Sequence, residues 1–273
     1  MIGRAARARM GAMVFQDRAH AGRELAAQLL DLARERPIVL ALPRGGVPVG
    51  VEVARALRAP LDVLMVRKLG APHNPELAVG ALAEDGTAVL DAESARYVGM
   101  TQTQFERIVE RETRELHRRI ERFRDGREPP DVRGRTVVLV DDGLATGLSD
   151  LAAVRALRGR GAARIVVAAP VGSREALALL REEADEVVCL TIPRELLGVG
   201  RWYEDFHAVP DEEVLALLSA AGVRVPPPGE APRDPEAPRD PPPGESPRDP
   251  EAPRDPESRR DPEAPRELDE VEG

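Results

Sequence analysis

Asp141 and Asp142 stand side by side directly after the apolar run Val137–Val140, and Gly143-Leu144-Ala145-Thr146-Gly147-Leu148-Ser149 follows them. Two adjacent carboxylates can accept hydrogen bonds from two vicinal hydroxyls. A small-residue loop that runs into a helix can turn its N–H groups toward an anion, and the helix dipole favours the negative charge. The hydroxyls of Thr146 and Ser149 add donors. Strand, acidic pair, loop and helix start together suit a sugar phosphate. An apolar strand ending in Asp-Asp also occurs in P-loop NTPases and in phosphoacceptor receiver domains. The first would need GxxxxGK[ST] upstream, which this chain lacks. The second usually carries its acidic pair near the chain start.

The elements that must position these residues follow from periodicity. Val137–Val140 is a buried strand of a parallel sheet, whose C-terminal end is where ligands of open α/β sheets bind. Leu151, Val154 and Leu157 mark the helix after it. Upstream, the pattern predicts helix His20–Arg34, strand Ile38–Leu42, helix Val47–Leu57 and strand Leu61–Val66. A loop with a weak extended segment precedes strand Thr87–Leu90. A long helix, Thr101–Phe123, carries Phe105, Ile108, Val109, Leu116, Ile120 and Phe123 at helical spacing. Downstream come strand Arg164–Ala169, a helix near Arg174–Arg181, strand Glu186–Leu190 and helix Asp211–Leu218. Alternating strands and helices predict an α/β fold with a doubly wound parallel sheet.

Charge and composition divide the chain. Residues 226–273 hold 15 acidic residues and 7 arginines, a net charge of −8, against −9 for the whole chain. The body is therefore close to neutral and has no basic patch of the density that nucleic-acid binding shows. Fifteen of the 26 prolines also lie in 226–273, within copies of the hexad APRDPE. Such a segment has little to bury, so a solvated, disordered tail of polyproline II character is expected. Residues 1–13 are expected to be a flexible extension, in which Met10 and Met13 could each begin the domain of residues 14–225. Cys189 is the single cysteine; it permits no intramolecular disulfide or cysteine metal cluster and fits a cytoplasmic setting. No apolar stretch approaches a membrane span.

Four further stretches carry candidate chemistry. Pro43-Arg44-Gly45-Gly46 sits between a strand and a helix, where paired glycines let backbone approach a ligand; an ordinary βα turn would look the same. Lys68 is the only lysine beside 38 arginines. A compact ammonium there suits a tight phosphate contact, or it is an accident of composition. His73 and Glu76, in the Gly70–Glu76 loop, are candidates for proton transfer or plain loop residues. Trp202, Tyr203 and Phe206 concentrate the chain's scarce aromatics; flat faces there suit a stacked base, and packing is the alternative, favoured for Phe206.

The run VVLVDDGLATG followed by Leu148-Ser149 resembles the phosphoribosyl-pyrophosphate (PRPP) signature of the type I phosphoribosyltransferases. The resemblance extends from Val14 to about Ala220. It is nearest to predicted phosphoribosyltransferases of undefined acceptor. It implies the family's doubly wound core with a small hood, here at about 191–209, and transfer of ribose 5-phosphate from PRPP to a nitrogenous base or related acceptor with Mg²⁺. Under it, Asp141 and Asp142 hold the ribose hydroxyls and touch the metal only through water. Gly143, Ala145, Thr146, Gly147, Leu148 and Ser149 hold the 5′-phosphate. Arg44, Gly45, Gly46 and Lys68 bind pyrophosphate, with a cis peptide at Pro43–Arg44. Arg67, Lys68, His73 and Glu76 belong to the catalytic group, the last two on a mobile loop, and Trp202 and Tyr203 stack on the base. Ala145 stands where enzymes for 6-oxopurines carry Asp, which resembles the adenine and orotate enzymes instead. A small-molecule acceptor and a homodimer are the expected partners, with no nucleic acid and no membrane. The other readings are a PRPP- or nucleotide-binding regulator with little catalysis, and a salvage or phosphorolysis-like role on modified nucleotides.

Overall fold

The computed structural model describes residues 14–224, except Asp125 and the side chain of Glu76. The extension at 1–13 and the tail at 226–273 lie outside the described residues, as does Val225. In chain order the elements are α1 (Arg18–Leu29), a 3₁₀ turn (Leu30–Glu35), β1 (Ile38–Ala41), α2 (Gly46–Leu57), β2 (Leu61–Val63), β3 (Val66–Ala71), β4 (Asn74–Ala83) and β5 (Ala88–Leu90). They continue with α3 (Ala92–Tyr97), α4 (Gln102–Arg124), β6 (Thr136–Val140), α5 (Leu148–Gly159), β7 (Arg164–Val171), α6 (Arg174–Arg181) and β8 (Glu186–Thr191). A second 3₁₀ turn (Val199–Trp202) and α7 (Asp211–Ala220) close the described chain.

Five strands form a parallel sheet in the order β2-β1-β6-β7-β8. Its inner strands β1, β6 and β7 are apolar on both sides because both faces are covered, and residues alternate between two cores. Val39, Ala41, Val138, Val140, Val166 and Ala168 point to one core with α1, α2 and α7. Ile38, Leu40, Val137, Leu139, Ile165 and Val167 point to the other with α5 and α6. β1 and β6 are neighbours with Ala41 opposite Val140. From β1 the chain moves on to β2 at one side, and from β6 to β7 at the other. Their shared end is thus the topological switch point of the sheet, where a crevice opens.

The single expected strand Leu61–Val66 is corrected to two. β2 ends at Val63, and after Leu64 and Met65 the chain enters a separate antiparallel sheet, β3-β4-β5. The expected loop Gly70–Glu76 is likewise corrected: Ala71 pairs with Asn74 across a two-residue turn, Pro72-His73, in a β-hairpin. This small sheet packs against α5 on one side and α4 on the other. Helix α5 is therefore enclosed between two sheets, and its Ala152, Ala153 and Ala156, each 0 % exposed, let both approach. Among the described residues no helix is long and apolar enough to cross a membrane.

The bend between β2 and β3 is held by charge as well as by the burial of Leu64 and Met65, one in each core. Glu84, just after β4, accepts the Met65 N–H (2.9 Å) and pairs with Arg124 (3.0 Å) and Arg160 (3.4 Å). Arg124 also donates to the Val63 carbonyl at 2.8 Å. Beside it, Asp62 of β2 takes both terminal nitrogens of Arg127. These pairs fix the direction in which β3 leaves the sheet.

Candidate functional site

The crevice at the switch point is built from two strand ends. The Leu42 N–H donates to the Val140 carbonyl at 2.9 Å, which ties the exit of β1 to that of β6. The Pro43–Arg44 peptide is cis, and Gly45-Gly46 then pass directly beneath the acidic pair. A Cβ on Gly45 would overlap the Asp142 carboxyl, and one on Gly46 would lie 2.6 Å from the Val140 carbonyl oxygen. Only glycine admits the main chain this closely. The glycine pair and the aspartate pair, far apart in sequence, thus meet.

The loop after Asp142 is stitched to the end of β7. Leu144 donates its N–H to the Val171 carbonyl (2.9 Å), Ser173 donates its N–H back to the Leu144 carbonyl (2.9 Å), and Ser173 Oγ donates to the Ala145 carbonyl (2.7 Å). Gly147 follows with φ +75°, a left-handed geometry that favours glycine, and α5 begins. Gly147 has no side chain with which to cap the helix, and Thr146 Oγ1 stands 3.5 Å from the Leu148 nitrogen, at the limit of a hydrogen bond. Ala145 and Thr146 are exposed and Ser149 is half-buried. An open helix start beside exposed small residues can accept an anion.

Arg18 of α1, which sequence reasoning missed, reaches this site. Its Nε donates to Asp142 Oδ2 at 2.8 Å, and Nη1 donates to the His207 carbonyl at 2.8 Å. The guanidinium carbon lies 3.9 Å from the centre of the Phe206 ring. Residues 15–17 run beside the stretch 202–205, with the Phe15 N–H donating to the Trp202 carbonyl and the N–H groups of Glu204 and Asp205 donating back to the carbonyls of Phe15 and Gln16. The N-terminal segment and the expected hood therefore form one lid-like layer over the acidic pair.

Burial raises the carboxyls of Asp141 and Asp142 above the ordinary range, most strongly at Asp141, where Asp150 and Asp142 add like charge. Arg18 works against the rise at Asp142. Asp150, in the first turn of α5, is 3 % exposed and its Oδ1 has no hydrogen-bond partner. Burial pushes it up to about 7, with a small contribution from Asp142. The three carboxyls thus repel one another, and Arg18 is the counter-charge at Asp142.

Other expected residues stand elsewhere. Arg67 and Lys68 lie on successive positions of β3, so their side chains leave opposite faces. Arg67 turns to α4, with Nε 2.6 Å from Glu112 Oε2, while Lys68 is exposed. Arg44 points to α7, with Nη1 3.7 Å from Asp211 Oδ1. His73 occupies the exposed hairpin turn; Glu76 is in β4, and its side chain lies outside the described part of the structure. Stacking of a base on Tyr203 is corrected: the residue is 6 % exposed, its ring packs on Phe15 and Phe206, and its hydroxyl donates to the Asp142 carbonyl at 2.6 Å. Trp202 is half-buried against the same cluster. Phe206, expected to serve packing, is the more exposed ring at 37 % and carries Arg18 on its face.

Comparison with known proteins adds the remaining observation. The family model for a phosphoribosyl transferase domain matches residues 14–203. Proteins of two Mycobacterium tuberculosis strains, named as candidate phosphoribosyl transferases, are 46% identical over 208 residues, covering 76% of this chain and 47% of theirs. The chain thus spans about half the length of the curated relatives it matches. The crystal structure of TT1426 from Thermus thermophilus is similar at 49% identity and TM-score 0.64, covering 76% of this chain and 98% of that one.

Proposed function

On the premise that this chain belongs to the phosphoribosyl transferase domain family, we propose that it transfers ribose 5-phosphate from PRPP to a nitrogenous acceptor and releases pyrophosphate. The observation that carries this reading is the meeting of Asp141-Asp142, Gly45-Gly46 and the open start of α5 at one switch point. Asp141 and Asp142 accept the ribose hydroxyls, and the backbone from Gly143 to Ser149 takes the 5′-phosphate. The 143–149 loop is fixed before ligand arrives, through Ser173 and β7, so little ordering accompanies binding.

Displacement at the anomeric carbon builds positive character on the sugar, and it needs stabilisation of the leaving group and exclusion of water. Lys68 and the backbone of Gly45-Gly46 would stand toward the pyrophosphate. The hood layer with Arg18 and Phe206 would cover the ribose. Among the described residues no group of three or more His, Cys, Asp or Glu is arranged to hold a metal. Two carboxylates suit a Mg²⁺ that keeps several waters and takes its other ligands from substrate oxygens. Such an ion would neutralise charge developing on the pyrophosphate. Ala145, in the place of the 6-oxopurine enzymes' Asp, leaves the acceptor to be found among other bases. A cytoplasmic setting and a role in nucleotide metabolism accompany this proposal.

Asp142→Asn tests the ribose contact. The amide oxygen can still accept from Arg18, so the hood stays anchored, while one face of the group turns from acceptor to donor. Affinity for ribose 5-phosphate is expected to fall by about 1–3 kcal/mol, typical of a lost charge-assisted hydrogen bond. Calorimetric titration measures it; wild-type affinity in the variant would remove Asp142 from ribose binding.

A further inference from the structure

His207 stands where the hood layer meets α7. Its Nδ1 lies 3.1 Å from Asp205 Oδ1 and its Nε2 lies 3.3 Å from Glu213 Oε2. Both ring nitrogens therefore face ionised carboxylates, which can only accept. A neutral imidazole has one N–H, so in either tautomer one nitrogen sets its lone pair against a carboxylate oxygen; the imidazolium donates to both. Asp205 and then Glu213 favour that charged form and raise it above the ordinary 6.5. Arg18 of α1 is the other charged group at this point. Its Nη1 donates to the His207 carbonyl at 2.8 Å while its Nε holds Asp142. A chain of contacts thus runs from α7 through His207 and Arg18 to the acidic pair. The rest of the first turn of α7 is held by permanent charge. Asp211 pairs with Arg122 (3.3 Å) and Arg44 (3.7 Å), and Glu212 with Arg122 (2.8 Å). Among these three carboxylates only Glu213 depends on a partner that titrates near neutrality. His207 and α7 both lie beyond residues 14–203, the part matched by the family model.

We propose that His207 is a protonation switch that fastens the hood to α7: the imidazolium bridges Asp205 and Glu213, and the neutral ring releases α7 and loosens the layer over Asp142. The switch does not depend on phosphoribosyl transfer. Its direction follows from the charged form being favoured in the folded protein. The bridge is complete below the ordinary imidazole value and is lost as pH rises through the raised one. Asp205 Oδ1 also accepts the main-chain N–H of His207 at 3.1 Å, a bond that does not titrate. It keeps the ring at Asp205 in both states, so the contact that opens is the one to Glu213. The layer itself stays folded, because its main-chain bonds to Phe15 and Gln16 do not titrate either. What changes is how firmly His207 carries Arg18.

The full chain carries its own probe. Trp202 is the only tryptophan and sits half-buried in this layer, so its fluorescence can be followed against pH through the imidazole range. NMR of the four histidine rings, with the His207 signal identified by its loss in His207→Gln, gives the titration of that ring directly. In the wild type, Trp202 fluorescence should change in one step whose midpoint coincides with that of His207 and lies above 6.5. His207→Gln should abolish the step. Glu213→Gln, a neutral change at a side chain 37% exposed, should leave the fold intact and move both midpoints to lower pH, since one of the two carboxylates that favour the imidazolium is gone. His20 is the other histidine near the layer, with its Nδ1 accepting the Gln16 N–H at 3.2 Å. His20→Gln is therefore the control and should leave the step in place. A step that survives in His207→Gln or disappears in His20→Gln overturns the switch. So does a His207 midpoint at or below 6.5, or one that Glu213→Gln does not move. Titration of His207 with no change at Trp202 overturns it as well, because the hood would then not feel the ring.

Discussion

Glu84→Ala should destabilise the protein by about 3–5 kcal/mol, because it strands a buried charge. Glu84 and Arg124 have side chains only 6% and 4% exposed, and Arg124 Nε already lacks a partner. Removing the carboxylate takes away the counter-charge of that guanidinium, leaves it the neutral Val63 carbonyl, and frees the Met65 N–H at the bend into β3. The melting temperature should fall by roughly 6–20 °C, at about 2–4 °C per kcal/mol for a domain of this size. Replacing both Glu84 and Arg124 with methionine should restore part of the loss, since that buried pair of charges is then gone while the Met65 N–H and the Val63 carbonyl still lack their side-chain partners. Thermal and urea melts of the single and double variants measure this. A single-variant loss under about 1 kcal/mol, the range of exposed pairs, would mean that water reaches the bend.

Asp150→Asn should act in the opposite direction and only at higher pH. The ordinary aspartate value is 3.8, and the folded-state value is pushed up to about 7 by burial. Folding therefore takes up a proton that the unfolded chain has released. The stability due to this proton is fully present below about pH 4 and is lost as pH rises through about 7. Asparagine cannot ionise, so it escapes the loss. At pH 8 the variant should exceed the wild type by about 2–4 kcal/mol, from a shift of about three units at 1.36 kcal/mol each. At about pH 4 the two should nearly coincide. Asp141 is raised too and remains in the variant, so its stability still declines with pH, though less steeply. Urea melts at the two pH values decide the matter, and a pH-independent difference would show that Asp150 is charged in the folded protein.

The parallel core was legible because its central strands are buried on both faces and carry unbroken apolar runs, Ile38–Ala41 and Val137–Val140. Helix α6 has the bounds expected from Arg174–Arg181, where Ser173 caps the Ala176 N–H. The β3–β4 hairpin was hidden because Gly70, Pro72 and Pro75 punctuate it like a loop. The register shifts on both sides of Gly70, where a Cβ would collide with the Pro75 backbone. Pro75 is tolerated because β5 pairs only with Gly80–Leu82, leaving that end of β4 without a second neighbour.

The site divides in the same way. Asp141, Asp142 and the loop to Ser149 are contiguous, so spacing alone exposed them. Arg18 was missed because its partner lies 124 residues away, and nothing local marks an arginine at a helix start as an ion-pair donor. Asp150 was within reach: it sits one turn before Val154 on the apolar stripe of α5, where a carboxylate has no ordinary reason to be. The aromatic concentration at 202–206 is plain in the sequence, but which ring stays accessible depends on how Phe15 and Tyr203 pack, and sequence does not specify that.

The most direct test of phosphoribosyl transfer is pyrophosphate release from PRPP and Mg²⁺ by the wild-type chain, measured across a panel of nitrogenous bases. The expected result is release that depends on one class of base, with one nucleoside 5′-monophosphate formed per pyrophosphate. Saturable PRPP binding with no base-dependent release would contradict transfer and leave the protein a PRPP-binding regulator.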